Sequence, residues 1–203
     1  MTAKRKGYMT LAEHHAQLKA EGKWDEYVAR KKERSDAIRR KEEEYTQAEA
    51  PLIHDLRAAG GEVSSVWDLV NTRGSYPTLV PVLLAHLDHP YPERVREGIA
   101  RALAVPEARA GWDQLVNSYL SETDATTHGV KWALHLAIAA AADISVLDTL
   151  IRLAVDRRHG RNRAMFVDSL ARLNDPRARA ALDELAGDPD LADDVRRVMK
   201  KRR

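Results

Sequence analysis

Basic side chains recur at regular spacing in the second half of the chain and could contact an acidic partner. Arg96, Lys131 and Arg163 coincide when the segments around them are aligned, and Arg197 fits the same place in a fourth segment. A row of cations can bind carboxylates or phosphates on another molecule. It can equally pair with acids of its own chain, and partly exposed pairs of that kind add little stability. The acids available for such pairs are Glu93, Asp124, Asp156 and Asp193.

Histidines form a second group with possible chemistry. His128, Lys131 and His135 lie at positions i, i+3 and i+7, so they would share one face of a helix. That face predicts a contact stripe if it opens on a groove, and a core histidine if it is covered. His86 and His89 could ligate a metal, but no convincing third ligand is near them, and histidines at a helix end also interact favourably with the helix dipole. We therefore expect no metal and no cofactor.

Motifs that would indicate catalysis do not stand out. The chain contains no cysteine, so it has no disulfide, no thiolate ligand and no cysteine nucleophile. It contains no glycine-rich phosphate loop, no GxSxG or HExxH motif and no evident pair of catalytic carboxylates. These observations favour a binding protein over an enzyme, although the lack of a known motif does not exclude catalysis.

The segment from Thr126 to Ala142 predicts the best-buried helix of the chain. After His128 its only polar side chains are those of Lys131 and His135, and it ends in four alanines, which favour helix strongly. A helix that is apolar on all sides must be covered by other helices, and this segment is short for a membrane span. We predict an inner helix in which Leu134 is fully buried, between the helices around Val116 and Leu150.

Three segments of the chain repeat one apolar pattern. When they are aligned, Ile99, Leu134 and Phe166 coincide, at offsets of 35 and 32 residues. Each segment follows an amphipathic stretch, so each repeat predicts a pair of helices. One helix pair cannot bury its apolar face alone, and the pairs must therefore stack on one another.

The segments YPERVREGIARAL, NRAMFVDSLARLNDPRARAALDELAGDPD and DVRRVM resemble HEAT repeats, in particular those of the phycobilin-lyase type. The resemblance covers about residues 76–203. It implies an all-α fold, a right-handed α-solenoid of antiparallel helix pairs that binds a partner on its concave face, and it implies no reaction. On that basis the expected partner-binding residues are Arg96, Arg101, His128, Lys131, His135 and Arg163.

The first part of the chain has a different pattern. From Trp24 to Tyr45 it is rich in both charges and has about one apolar position per heptad, too few for a coiled coil. It predicts a long, half-solvated helix, which Pro51 should interrupt. We therefore predict a charged helical N-terminal extension over residues 1–61 and a HEAT-like stack over residues 62–203.

Two functions remain open. The first is a non-catalytic scaffold that binds another protein, as a regulator, an assembly factor or a bacterial immunity protein. The alternative is a nucleic-acid-binding protein, including one similar to the HEAT-like alkylpurine DNA glycosylases, for which Trp112, Asp113 and Trp132 provide a loose resemblance. A net charge of only +2, with equal numbers of acidic and basic residues in 61–203, disfavours the alternative. The basic N-terminus lacks an apolar signal-peptide core, so we expect a cytoplasmic protein without membrane contact.

Overall fold

The computed structural model describes residues 9–123 and 129–201, and these residues form helices and no strands, which confirms the all-α prediction. No single helix in these ranges is both long and apolar enough to cross a membrane, and only a bent pair, Val130–Ala141 with Ile144–Val155, has the length and composition when taken together. The α-helices of the described ranges are α1 (Leu11–Ala20), α2 (Trp24–Ala58), α3 (Val66–Asn71), α4 (Val80–His86), α5 (Glu93–Ala102), α6 (Trp112–Ser121), α7 (Val130–Ala141), α8 (Leu147–Val155), α9 (Ala164–Arg172), α10 (Pro176–Leu185) and α11 (Ala192–Lys201). Short 3-10 segments occupy Pro106–Gly111, Ile144–Val146 and Arg157–Arg163.

The chain divides into two compact units, residues 1–45 and residues 46–203. The second unit starts ahead of residue 62, where the change in sequence pattern led us to place the domain boundary. The side chains of Leu52 and Leu56 explain the difference, because both are fully buried in the core of the second unit. The repeat pattern begins later in the sequence than the core to which it belongs.

The first unit is held at its start by a capping box. The Thr10 hydroxyl accepts a hydrogen bond from the Glu13 N–H, and the Glu13 carboxylate accepts one from the Thr10 N–H. Aromatic rings then join α1 to the beginning of α2. The ring centre of His15 lies 4.9 Å from that of Trp24 and 5.6 Å from that of Tyr27.

Helix α2 continues through Pro51, contrary to the expected interruption. The proline lacks an N–H and so removes one helical hydrogen bond, which normally destabilises the interior of a helix. Here Pro51 lies on the exposed side, while Leu52, Ile53 and Leu56 on the following turn are buried. Tertiary burial of that turn stabilises the helix beyond the proline.

In the second unit, α3, α5, α7, α9 and α11 contact one another in chain order. The intervening helices pack against members of this row, α6 on α7, α8 on α9, and α10 on both α9 and α11. Nearly all helix contacts therefore join elements that are close in sequence.

Helix α7 has the most extensive contacts of the row, with α5, α6 and α9. It begins after Gly129, whose φ of 104° lies in the left-handed region that favours glycine. The side chain of Leu134 is 1 % exposed, which confirms its predicted burial. The prediction that Leu134 lies between the helices around Val116 and Leu150 was only partly right. Helix α6, which carries Val116, packs on α7, but α8, which carries Leu150, packs mainly on α9 and α10.

Replacing Leu134 should reveal how far the second unit depends on α7. We expect Leu134→Ala to lower the free energy of unfolding by about 2–5 kcal/mol, through lost apolar burial and a cavity. Leu134→Asp should prevent folding, because it places an unpaired charge in the core. Urea unfolding followed by circular dichroism measures both effects.

The matched control is Leu120→Ala on the neighbouring α6, where the leucine is 49 % exposed. We expect it to change the free energy of unfolding by less than about 0.5 kcal/mol. If Leu134→Asp melted like the wild type, α7 could not be the centre of the core.

Candidate functional site

The residues predicted from the sequence to form one contact stripe lie in three separate environments. Two cations lie at the end of α6, one lies between two tryptophan rings, and two of the side chains are inside the core. These are, in that order, Arg96 and Lys131, then Arg101, then His135 and Arg163. The sixth residue, His128, lies outside the described residues.

Arg96 and Lys131 meet at Glu122, the residue that follows the last turn of α6. The Arg96 guanidinium pairs with the Glu122 carboxylate at 2.5 Å. The Lys131 ammonium donates to the Glu122 backbone carbonyl at 2.6 Å and lies 5.2 Å from the ring centre of Tyr119. Cations are stabilised at a helix C-terminus by its exposed carbonyls. Both side chains therefore tie α5 and α7 to the end of α6.

Arg163 is completely buried, and so it cannot belong to a surface stripe. Its Nη1 donates to the Asp188 carboxylate at 2.9 Å, and its Nε donates to the Gly160 carbonyl at 2.8 Å. The hydrogen bond from Arg163 holds the pKa of Asp188 below its usual value. The sequence had left structural pairing open for these cations, and that role fits the geometry of Arg163.

His135 is also completely buried and has no surface to offer a partner. Its ring centre lies 3.9 Å from that of Phe166 and 5.8 Å from that of Tyr119. Burial lowers the pKa of His135 to about 3, so the imidazole is neutral at pH 7. Of the two roles that the sequence left open, the core histidine is the one that matches this position.

Arg101 is the predicted contact residue with the most distinctive surroundings. Its guanidinium carbon lies 5.7 Å from the ring centre of Trp67 on α3 and 4.6 Å from that of Trp132 on α7. The Glu97 carboxylate pairs with it at 2.7 Å, and the guanidinium of Arg94 lies 5.6 Å from the Trp67 ring. We call these five residues the tryptophan–arginine surface. It is partly exposed and spans three neighbouring helices.

A glycine on α5 lets α3 and its tryptophan come this close. A Cβ atom at Gly98 would lie 2.5 Å from Cγ1 of Val66 and 3.0 Å from Nε1 of Trp67, so no other residue fits without displacing them. The repeat alignment contained a signal for this surface. At the offset of 35 residues, Glu97 coincides with Trp132, which places both on the same face of successive repeats.

A separate cleft of about 520 Å³ opens between the α4–α5 loop, α6 and α7. Its volume is in the range of small-ligand sites. The polar side chains at its rim already form hydrogen bonds or ion pairs within the protein. The Asp88 carboxylate accepts from Ser118 and Gln114, and Arg96 is paired with Glu122.

His86, next to this cleft, uses both of its ring nitrogens within the protein. Its Nδ1 lies 2.7 Å from the Tyr91 hydroxyl, and its Nε2 lies 3.0 Å from the Asp55 carboxylate. Burial raises the pKa of Tyr91, so the phenol is protonated at neutral pH. His89 stacks on His86, with ring centres 5.0 Å apart. These contacts join α2, α4 and the loop that follows α4. The described residues contain no cluster of three or more His, Cys, Asp or Glu side chains that could hold a metal ion.

The buried and exposed arginine pairs should differ strongly in their contribution to stability. We expect Arg163→Met to lower the free energy of unfolding by about 3–5 kcal/mol, because Asp188 would lose its buried partner and keep only the more distant, exposed Arg157, at 3.4 Å. Arg197→Met is the control. Arg197 pairs with Asp168 at 3.0 Å on the surface and should contribute less than about 1 kcal/mol. Equal losses in urea unfolding would contradict the structural role of Arg163.

Comparison of this chain with known protein families, with curated proteins and with solved structures found no significant match. The function must therefore be inferred from the fold and from the surfaces described above.

Proposed function

We propose that the chain is a non-catalytic HEAT-like scaffold that binds another protein through the tryptophan–arginine surface. The packing of α5, α7, α9 and α11 in chain order supports a stack of helix pairs, because these are the second helices of the aligned repeats. In a right-handed α-solenoid, such a row forms the concave face. Trp132 and Leu136 on α7 occupy the repeat positions of Glu97 and Arg101 on α5, and the side chains of both are partly exposed.

The observation that carries this proposal is the stacking of Arg101 between Trp67 and Trp132. Tryptophan and arginine are the residues that most often dominate the binding energy of protein interfaces. The two indole rings and the Glu97 carboxylate already hold the guanidinium in place. A partner would therefore bind side chains that have little conformational entropy left to lose.

Nucleic-acid binding receives less support from the positions of the basic residues. Each of the four aligned cations is already engaged by an acid or a carbonyl group of the protein, and a phosphate would have to compete with these contacts. The four are Arg96, Lys131, Arg163 and Arg197. Trp112, the aromatic residue of the glycosylase hypothesis, is only 7 % exposed and belongs to the core.

Among bacterial cytoplasmic proteins, this proposal is compatible with a regulator, an assembly factor or an immunity protein. The identity of the partner distinguishes these roles. Affinity purification of the tagged chain from its native cells, with identification of what is retained, is the first experiment. The proposal would be withdrawn if the chain retained nucleic acid and no protein.

Variants of the tryptophan–arginine surface should then weaken binding of the identified partner. We expect Arg101→Gln and Trp132→Leu each to raise the Kd about thirtyfold, because truncating a central arginine or tryptophan typically costs about 2 kcal/mol. Leu120→Ala, at an exposed position of α6, should leave the Kd unchanged. Titration calorimetry measures the affinities, and thermal melts verify that each variant is folded. An unchanged Kd for both surface variants would exclude this surface.

A gel-shift titration tests the nucleic-acid alternative directly. Phosphate contacts release counterions, so true nucleic-acid binding weakens steeply between about 50 and about 200 mM salt. We expect no shift of duplex or single-stranded DNA at the higher salt concentration. Micromolar binding with a steep salt dependence would favour the alternative, and release of bases from alkylated DNA would make the protein an enzyme.

A further inference from the structure

Three polar rings meet in the core, and each has at least one buried polar atom without a hydrogen-bond partner. Tyr119 comes from α6, His135 from α7, and His159 from the segment Arg157–Arg163. The ring centre of Tyr119 lies 5.8 Å from that of His135 and 4.9 Å from that of His159. The Tyr119 hydroxyl, both ring nitrogens of His135 and Nε2 of His159 are buried and unpaired within the part of the chain that the structure describes. Unpaired buried polar groups are uncommon in native proteins and require an explanation.

Packing alone does not require a histidine at position 135. In the repeat alignment this position coincides with Ala100 and Val167, and both of these apolar side chains are fully buried. The neighbouring repeats thus fill the equivalent position with an apolar side chain. His135 adds a titratable group to a site that an apolar residue could fill.

The charges around His159 are mainly positive. They belong to Lys131 of α7, to Asp156 at the end of α8, and to Arg158 and Arg163 of the segment that carries His159. The only carboxylate among them, that of Asp156, lies 3.6 Å from Nε2 of His159 and is already held by Arg158 at 2.6 Å.

The other elements packed nearby bring no further charge to these rings. α6 contributes the Tyr119 phenol, and α9 contributes the Phe166 ring. Charged side chains of α5 and α8 have contacts elsewhere: Arg96 with Glu122, Arg101 with Glu97, Arg94 with the Trp67 ring, Arg152 with Thr149 and Asp148 with Arg177.

Both histidines are therefore kept neutral in the folded protein. Burial is the main cause of the low pKa of His135, and the neighbouring His159 adds to it. Burial also lowers the pKa of His159, with Lys131, Arg158 and Arg163 acting in the same direction and Asp156 opposing them. Their contribution to stability is fully present above the unfolded pKa of about 6.5 and is lost progressively as the pH falls below it.

We propose that Tyr119, His135 and His159 form an acid-sensitive switch, in which protonation of the imidazoles releases His159 and the residues before Gly160 from Tyr119 of α6, while Arg163 stays paired with Asp188. A buried imidazolium is unstable unless it is paired or can reach water, and both ring nitrogens of His135 are buried without a hydrogen-bond partner. The segment can move its histidine outward at Gly160, whose φ of 53° and ψ of −143° are accessible to glycine. Release exposes Tyr119 and Phe166 and loosens the contact between α7 and α9. The switch needs no partner and operates in the isolated chain.

Hydrogen exchange of the full chain, followed by mass spectrometry at about pH 7.5 and about pH 5.5 with correction for intrinsic exchange rates, tests the switch. His135, with a pKa of about 3 when buried and an ordinary pKa of about 6.5 when released, multiplies the opening constant about tenfold over this range. We expect the peptides that cover 112–121 and 157–163 to lose protection by about tenfold or more, while those from α10 and α11 change little. A change below about twofold, or an equal loss along the whole chain, would overturn the proposal.

Histidine variants identify the groups responsible. His135→Leu should remove about tenfold of the pH response, His159→Leu should remove a smaller part, and the double variant should show almost none. Leucine at 135 removes unpaired nitrogens, so the protein should remain folded at pH 7.5. His54→Ala, at an exposed position, is the control and should respond like the wild type. If the double variant kept the wild-type response, other groups would be responsible and the proposal would fail. If His135→Leu did not fold, the wild type and His159→Leu would still decide the question.

Discussion

An apolar helix without a polar face is stable in water only when other helices cover it, and α7 imposes this requirement on the second unit. Leu134 and Ile138 are almost completely buried, and the alanines beside them allow neighbouring helices to approach closely. Helices α5, α6 and α9 provide the cover. Each of these has its own apolar face to bury against further helices, so the row extends to α3 on one side and to α11 on the other.

The cations that recur along the chain serve this packing. Arg96 and Lys131 bind the end of α6, and Arg163 binds Asp188 and the end of α8 through the Ala154 carbonyl. Cations at equivalent repeat positions thus donate hydrogen bonds to carbonyl and carboxylate oxygens at helix ends, where the last backbone carbonyls have no partner within the helix. Their regular spacing reflects a structural task that recurs along the row of helices. Arg101, between two indole rings, is the basic residue to which we assign the proposed partner binding.

Helix α7 connects the two proposed properties of the protein. Trp132 contributes to the tryptophan–arginine surface, and His135 contributes to the acid-sensitive switch. The tryptophan–arginine surface uses rings that are partly exposed and already held in position. The acid-sensitive switch uses buried rings with polar atoms that lack hydrogen-bond partners. Polar groups placed in the core in this way reduce stability, which a covered and well-packed helix such as α7 can tolerate.

The sequence by itself determined the all-α class, the approximate positions of most helices and the burial of Leu134, because these depend on local propensity and on the 3.6-residue apolar period. It did not determine which polar residues are buried. Arg163 and Asp188 are distant in the chain, as are Trp67 and Arg101, and only packing brings each pair together. The continuity of α2 through Pro51 likewise depends on burial of Leu52 and Leu56. Such outcomes are set by long-range contacts, whose energies exceed the local preferences that a sequence displays.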